Sequence, residues 1–325
     1  MNAAVESDTQ NEIYDRWTGT KDSTFENVEI PEELGPIQIK VTEQLVKQYA
    51  FCMDDYRPWH FDKSPFGPAV AHAALLANDL LTVYYTNYDR TTVTGLHTDE
   101  ELTFHAPVPV GETVTITGRF SDKYTRRENG YVVMEAEARD SKGNLLVEHT
   151  GIEIMRVHPG SVIGRASAKE PTKKIVPETN DSEPISAPRR NIAPGTPIVP
   201  RTKLLSQEQI SVYSFVGEHE RNFHNDLELA KSHGLDNTIA QGLQTCGYFS
   251  DACTDFFGAD WFTSGRVKAK FLLPVFPDSA LTVSGKVTGQ EDADGGKIRT
   301  HLELWVTDQD NRLVSVAWAS AQHEG

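Results

Sequence analysis

The sequence is poor in cysteine, short of basic residues and without a long apolar run. Three cysteines (Cys52, Cys246, Cys253) among 325 residues are too few and too irregularly spaced for a disulfide framework or a zinc site. They read as packing thiols in a reducing cytoplasm. No stretch approaches the roughly 20 consecutive apolar residues of a membrane helix. The polar, acidic start MNAAVESDTQNEIYDRW resembles neither a secretory signal nor a basic transit peptide. Lys and Arg number 31 against 47 Asp and Glu, a formal charge of −16. That balance argues against a general nucleic-acid binder, because little offsets phosphate repulsion. It leaves room for an anionic ligand held by a few local bases. A glycine-rich phosphate loop, a dinucleotide fingerprint and a metal constellation are all missing, so no bound cofactor and no metal are expected.

What is present is a duplication. VTEQLVKQYAFCMDDYRPWHFD (41–62) pairs with LSQEQISVYSFVGEHERNFHND (205–226), matching Tyr49 to Tyr213, Phe51 to Phe215, His60 to His224 and Asp62 to Asp226. FHAPVPVGETVTITG (104–118) pairs with FLLPVFPDSALTVSG (271–285), and DSKGNLL (140–146) with DQDNRLV (308–314). Three blocks in the same order mark an internal repeat. Between the copies, residues 159–200 hold eight of the 17 prolines and little apolar periodicity, which predicts an extended linker. The division expected is an arm (1–28), an N-terminal domain (29–158), a Pro-rich linker (159–203) and a C-terminal domain (204–325).

Each copy has the same layout. A short amphipathic helix (43–52; 206–215) leads into a polar segment carrying histidine. A long apolar helix follows (69–85; 238–257), too long for a strand. Alternating strands then fill 113–125, 131–140 and 145–157 in the first copy, and 280–290, 298–308 and 312–322 in the second. One buried helix wrapped by an antiparallel sheet is the α+β hot-dog arrangement. Two copies in one chain predict a double hot-dog with its sheets edge to edge, an intramolecular pseudo-dimer.

The chemistry sits in the polar segments. The first places Asp55 five residues before His60; the second has His219 in the aspartate's slot, flanked by Glu218 and Glu220, and retains His224. A carboxylate and an imidazole on one loop can share one water. A helix start built on a small residue offers unpaired N–H groups to a developing oxyanion.

These segments resemble the MaoC-like, R-specific enoyl-CoA hydratases and dehydratases in their double hot-dog form. That family's signature is Asp-x-Asn-Pro-x-His-x-Asp, followed by a His-Gly-like helix start and an aromatic-x-x-Pro-Val strand entry. The resemblance implies an acid–base pair that adds water across an α,β-unsaturated thioester, with a backbone N–H at the helix start on the thioester oxygen. The first copy keeps Asp55, His60 and a helix-start histidine, His72, but has Ala73 where the family has glycine. The second keeps His224, Gly242 and Ser250 and lacks the aspartate, for which His219, Glu218 or Glu220 are the available replacements. Each copy is damaged in a different place.

The expected catalytic residues are therefore Asp55, His60 and His224. Gly242, Ser250, His219, Glu220 and His72 would support them, and Arg266, Lys268 and Lys270 are candidates for the phosphates of coenzyme A. Coenzyme A enters only as part of an acyl-CoA thioester substrate. A non-catalytic acyl-CoA-binding subunit and a hot-dog thioesterase are the alternatives. No nucleic-acid or membrane partner is expected, and a monomer or a homodimer of double hot-dogs both fit.

Overall fold

A computed structural model describes residues 17–93, 95–126, 129–155, 174–214, 221–232 and 235–325. The first repeat comprises β1 (Glu32–Lys40), α1 (Glu43–Met53), α2 (Ala77–Thr82), β2 (Leu96–Phe104), β3 (Thr113–Arg126), β4 (Asn129–Arg139) and β5 (Leu145–Met155). The second comprises β6 (Arg201–Leu205), α3 (Gln207–Tyr213), α4 (Leu227–Ser232), α5 (Gly242–Phe257), α6 (Trp261–Ser264), β7 (Arg266–Phe271), β8 (Ser279–Asp292), β9 (Ile298–Thr307) and β10 (Leu313–His323). All strands join one ten-stranded sheet in the order β1-β3-β4-β5-β2-β7-β10-β9-β8-β6. The repeats meet at the antiparallel β2–β7 pair, registered from Asp99 opposite Lys270 to Thr103 opposite Arg266.

The expected short helices form where their caps dictate. Thr42 accepts from the N–H of Leu45 at the start of α1. Ser206 and Gln209 make a reciprocal capping box at the start of α3, satisfying two amides that would otherwise lack partners. α1 and α3 pack together across the pseudo-dimer, with Tyr49 and Tyr213 ring centroids 5.9 Å apart.

The long helix expected over 69–85 is not one helix. Val70 bridges Pro109, Ala71 donates to the Val108 carbonyl at 2.9 Å, and α-helix begins only at Ala77. It gives way to a 3₁₀ turn at Val83–Thr86. The run is apolar because nearly all of it is buried, and burial on every side removes the periodicity that distinguishes a helix from packed irregular chain. In the second repeat the helix is continuous over 16 residues. Gly247 lets it approach α1, since a Cβ there would lie 2.4 Å from Met53 Sδ.

Two expected boundaries are corrected. Residues 17–28 of the expected arm are packed: Gly19 and Lys21 donate to the carbonyls of Tyr85 and Asn87, and Val28 is buried. Residues 174–203 of the expected linker belong to the second repeat. Arg201 already starts β6, and Ile185 and Pro197 form bridges to Ile198 and Lys286. Ile175 covers the outer sheet face, packing with Trp305 and Val316. Its proline content withholds the amide hydrogens needed for further ladder pairing, so this segment lies across the sheet as a strap.

Candidate active site

The Asp55 and His60 pair expected from the first copy is present but enclosed. His60 is 3% exposed and Asp55 4%. His60 Nδ1 lies 2.8 Å from the Val70 carbonyl and Nε2 lies 3.1 Å from Asp55 Oδ2, so both ring nitrogens are engaged. Asp55 is also paired with Arg57, which reaches across to Asp251 and Asp255 on α5. Lys203 Nζ lies 2.7 Å from Asp251 Oδ2 and donates to the carbonyls of Met53 and Asp54; Arg201 pairs with Asp255. Three carboxylates thus face three fixed cations. Burial pushes the Asp55 carboxyl up, but the His60 hydrogen bond and the charges of His72 and Arg57 outweigh it and hold it well below the usual carboxylate range.

His72 belongs to this enclosure. It is 3% exposed, its Nδ1 accepts from the Ala74 N–H at 3.1 Å, and burial pushes its pKa down to about 4. Ligand atoms of Asp55, His72 and Asp251 lie within 4.8 Å of one another. The protein's own Arg57 and Lys203 pair with those carboxylates, so the cluster does not fit a resident cation. As a group it ties the two repeats together.

The second copy opens onto space. A cavity of about 860 Å³ is lined by His224, Gln241 and Gly242, with Asn222, Phe223 and Thr245 beside them. Among its lining residues are neither Asp55 nor His60. His224 is positioned by its backbone N–H, which donates to Asn222 Oδ1 at 2.9 Å, and by Nδ1, 2.6 Å from the Ile239 carbonyl. A carbonyl only accepts, so Nδ1 carries the hydrogen and Nε2 carries the lone pair. Burial pushes His224 down to about 4, which keeps the ring neutral and Nε2 unprotonated at physiological pH.

Gly242 opens α5, a position whose N–H has no intrahelical acceptor, and Gln241 supplies no side-chain cap. The helix dipole adds positive potential there. A Cβ on Gly242 would lie 2.6 Å from the Phe271 ring, so the glycine is required by that contact as well as by access to the backbone.

Other expected site residues fall elsewhere. Ser250 is fully buried and its Oγ accepts from the Trp261 indole N–H at 2.9 Å, so it holds the core and not the site. Lys268 and Lys270 point away from the helices and pair with Glu101 (3.2 Å) and Asp99 (2.7 Å) across the β2–β7 seam. Arg266 shares their exposed face, and none of the three lines the cavity. Glu218, His219 and Glu220 lie outside the described residues. Asn78, His97 and Glu153 are among the cavity residues that escaped sequence reasoning. The register that sets His97 opposite Glu153 joins positions far apart in the chain.

The MaoC-like domain family pattern matches residues 189–308, and a FAS1-like dehydratase domain region matches residues 29–149. The chain has a double hot-dog fold, and its second half carries a MaoC-like domain. A solved MaoC-like dehydratase is similar over 93% of this chain and 100% of its own, at 16% identity and a TM-score of 0.72. A Mycobacterium tuberculosis protein described as having a double hot-dog fold covers 94% of this chain and 99% of its own, at 12% identity and TM-score 0.65. The peroxisomal multifunctional enzyme type 2 of Drosophila melanogaster matches 90% of this chain through 48% of its own length, at 19% identity and TM-score 0.62. At such identities the solved structures establish the fold. No curated protein matches the sequence. Among the described residues, no helix is long and apolar enough to cross a membrane.

Proposed function

We propose that the protein is a hydratase/dehydratase of α,β-unsaturated acyl thioesters, of enoyl-CoA type, working at the second-copy site. The observation that carries this reading is the fixed tautomer of His224, which leaves Nε2 unprotonated on a residue that lines the same cavity as Gly242, the first residue of α5. In hydration, water adds its oxygen to the β-carbon and loses a proton to a base. The π pair moves toward the thioester oxygen, and a proton reaches the α-carbon. His224 takes the first proton, and the Gly242 N–H with the helix dipole stabilises the enolate oxygen. The candidates for the second acid–base group are Glu218, His219 and Glu220, which the sequence sets in and beside the slot of the family's aspartate. Dehydration is the same path reversed.

The test is the loss of conjugated-thioester absorbance on a panel of enoyl-CoA esters. His224→Ala is expected to lower kcat by roughly 10²- to 10⁴-fold, the usual worth of a general base. His60→Gln, once shown to be folded, is expected to retain turnover. Loss of turnover in folded His60→Gln with His224→Ala active would move the chemistry to the first copy. Binding without turnover by the wild type would make the protein an acyl-thioester carrier.

A further inference from the structure

The cavity has a second polar wall, contributed by the first repeat. Much of its lining is apolar, including Leu81, Leu96, Ile154 and Leu273, yet Asn78, His97 and Glu153 face it as well. Asn78 lies on the same helical stripe as Leu81 and Thr82. It is 7% exposed, and among the described residues its Nδ2 has no hydrogen-bond partner. The His97 side chain is 9% exposed; Nε2 is 3.2 Å from Glu100 Oε2 and 2.8 Å from the Asp99 carbonyl. Its Nδ1 also lacks a partner among the described residues. Tyr84 donates to Glu153, which stands opposite His97 across the β2–β5 ladder.

These groups are made for donation. Burial opposes a charge on His97, but the fully buried Glu100 outweighs it and raises the pKa above the ordinary histidine value. That direction favours the protonated ring, in which Nε2 donates to Glu100 and Nδ1 carries a hydrogen too. Burial raises the Glu153 pKa as well, favouring the protonated acid. A buried donor left unpaired keeps its desolvation cost uncompensated, and two on one wall are expected to be met by a ligand. The wall adjoins the catalytic end: His97 and Phe271 ring centroids are 5.2 Å apart, and Phe271 is the ring that abuts Gly242. An acyl chain running from the Gly242 N–H past Phe271 reaches it.

We propose that Asn78 and His97 form a subsite for an oxygen on the acyl chain, so that the substrate is a thioester bearing a carboxylate or ketone beyond the conjugated bond. The subsite rests on the reading of this cavity as the acyl site. It selects against a plain alkyl chain, because such a chain leaves both buried donors without a partner.

The test uses chains of equal length in two sets. Saturated pentanoyl-, 4-oxopentanoyl- and glutaryl-CoA report binding by calorimetry; 2-pentenoyl- and glutaconyl-CoA report turnover. The expected result is at least ~10-fold tighter binding of one oxygenated chain, and which one distinguishes ketone from carboxylate. Asn78→Leu is expected to collapse that ratio; should this variant not fold, the wild-type ratio decides. Equal affinity for all three chains, or an unchanged ratio in folded Asn78→Leu, overturns the subsite. Preference in binding without turnover of either enoyl ester supports the subsite and overturns the hydratase reading. Turnover without preference does the reverse, and no binding of any chain overturns both.

Discussion

Arg57, on the polar loop of the first repeat, is paired with Asp251 on the long helix of the second. The loop with the complete Asp/His frame is thereby fastened to the opposite half, and the catalytic-looking residues become part of the interface between halves. Removing one partner leaves buried charges without compensation, typically worth 3–5 kcal/mol. Arg57→Met is therefore expected to lower the unfolding free energy measured in urea by an amount of that order. Arg57→Met/Asp251→Leu should recover part of the loss. A near-neutral single variant would show that the pair contributes little.

Ser250 gives the complementary case. Its hydroxyl accepts the Trp261 indole N–H in the core, so Ser250→Ala is expected to cost about 1–3 kcal/mol while kcat and KM stay within twofold. A large fall in kcat in the folded variant would return this residue to the site.

Gly242→Ala brings a methyl group against the Phe271 ring. Overpacking of this kind costs about 1–3 kcal/mol, and thermal unfolding should register it. Gly242→Ala/Phe271→Leu is expected to regain stability without regaining turnover, because the approach to the helix N–H remains narrowed. Recovery of both would mean that the glycine serves packing alone.

His224 and His72 are both pushed by burial from about 6.5 down to about 4. The unfolded chain binds protons at these rings that the folded protein refuses between those values. Their contribution to stability is full above about pH 6.5 and lost as pH falls toward 4. Unfolding is expected to take up about two protons at pH 5 from this source, and His72→Phe should lower that uptake by about one. Uptake unaffected by the substitution would mean that His72 titrates normally.

The duplication was legible because paired residues recur at nearly constant offset, and six strands were legible because one face is buried while the other is not. Four strands were harder to see. β1 contains Pro36, which the sheet accommodates by placing β1 at its edge. β2 carries Asp99, Glu100 and Glu101, which look unlike a central strand until Lys270 and Lys268 are set across from two of them. For the site, the sequence could locate His224 and Gly242 by their spacing. It could not tell that the more complete Asp55/His60 frame is sealed, because that depends on Asp251 and Lys203 arriving from the other repeat. His97 and Glu153 are joined only by register.

The strap over the second repeat has a consequence for how the chain can be divided. Ile175 lies against Trp305 and Val316, and Lys286 Nζ is held by the Val176 and Glu178 carbonyls. A C-terminal fragment cut at the repeat boundary near residue 204 would carry a bare tryptophan surface and most of β6 would be gone. The two halves share an ancestral plan but are no longer interchangeable cassettes: the piece that waterproofs one is written into the connection that joins them.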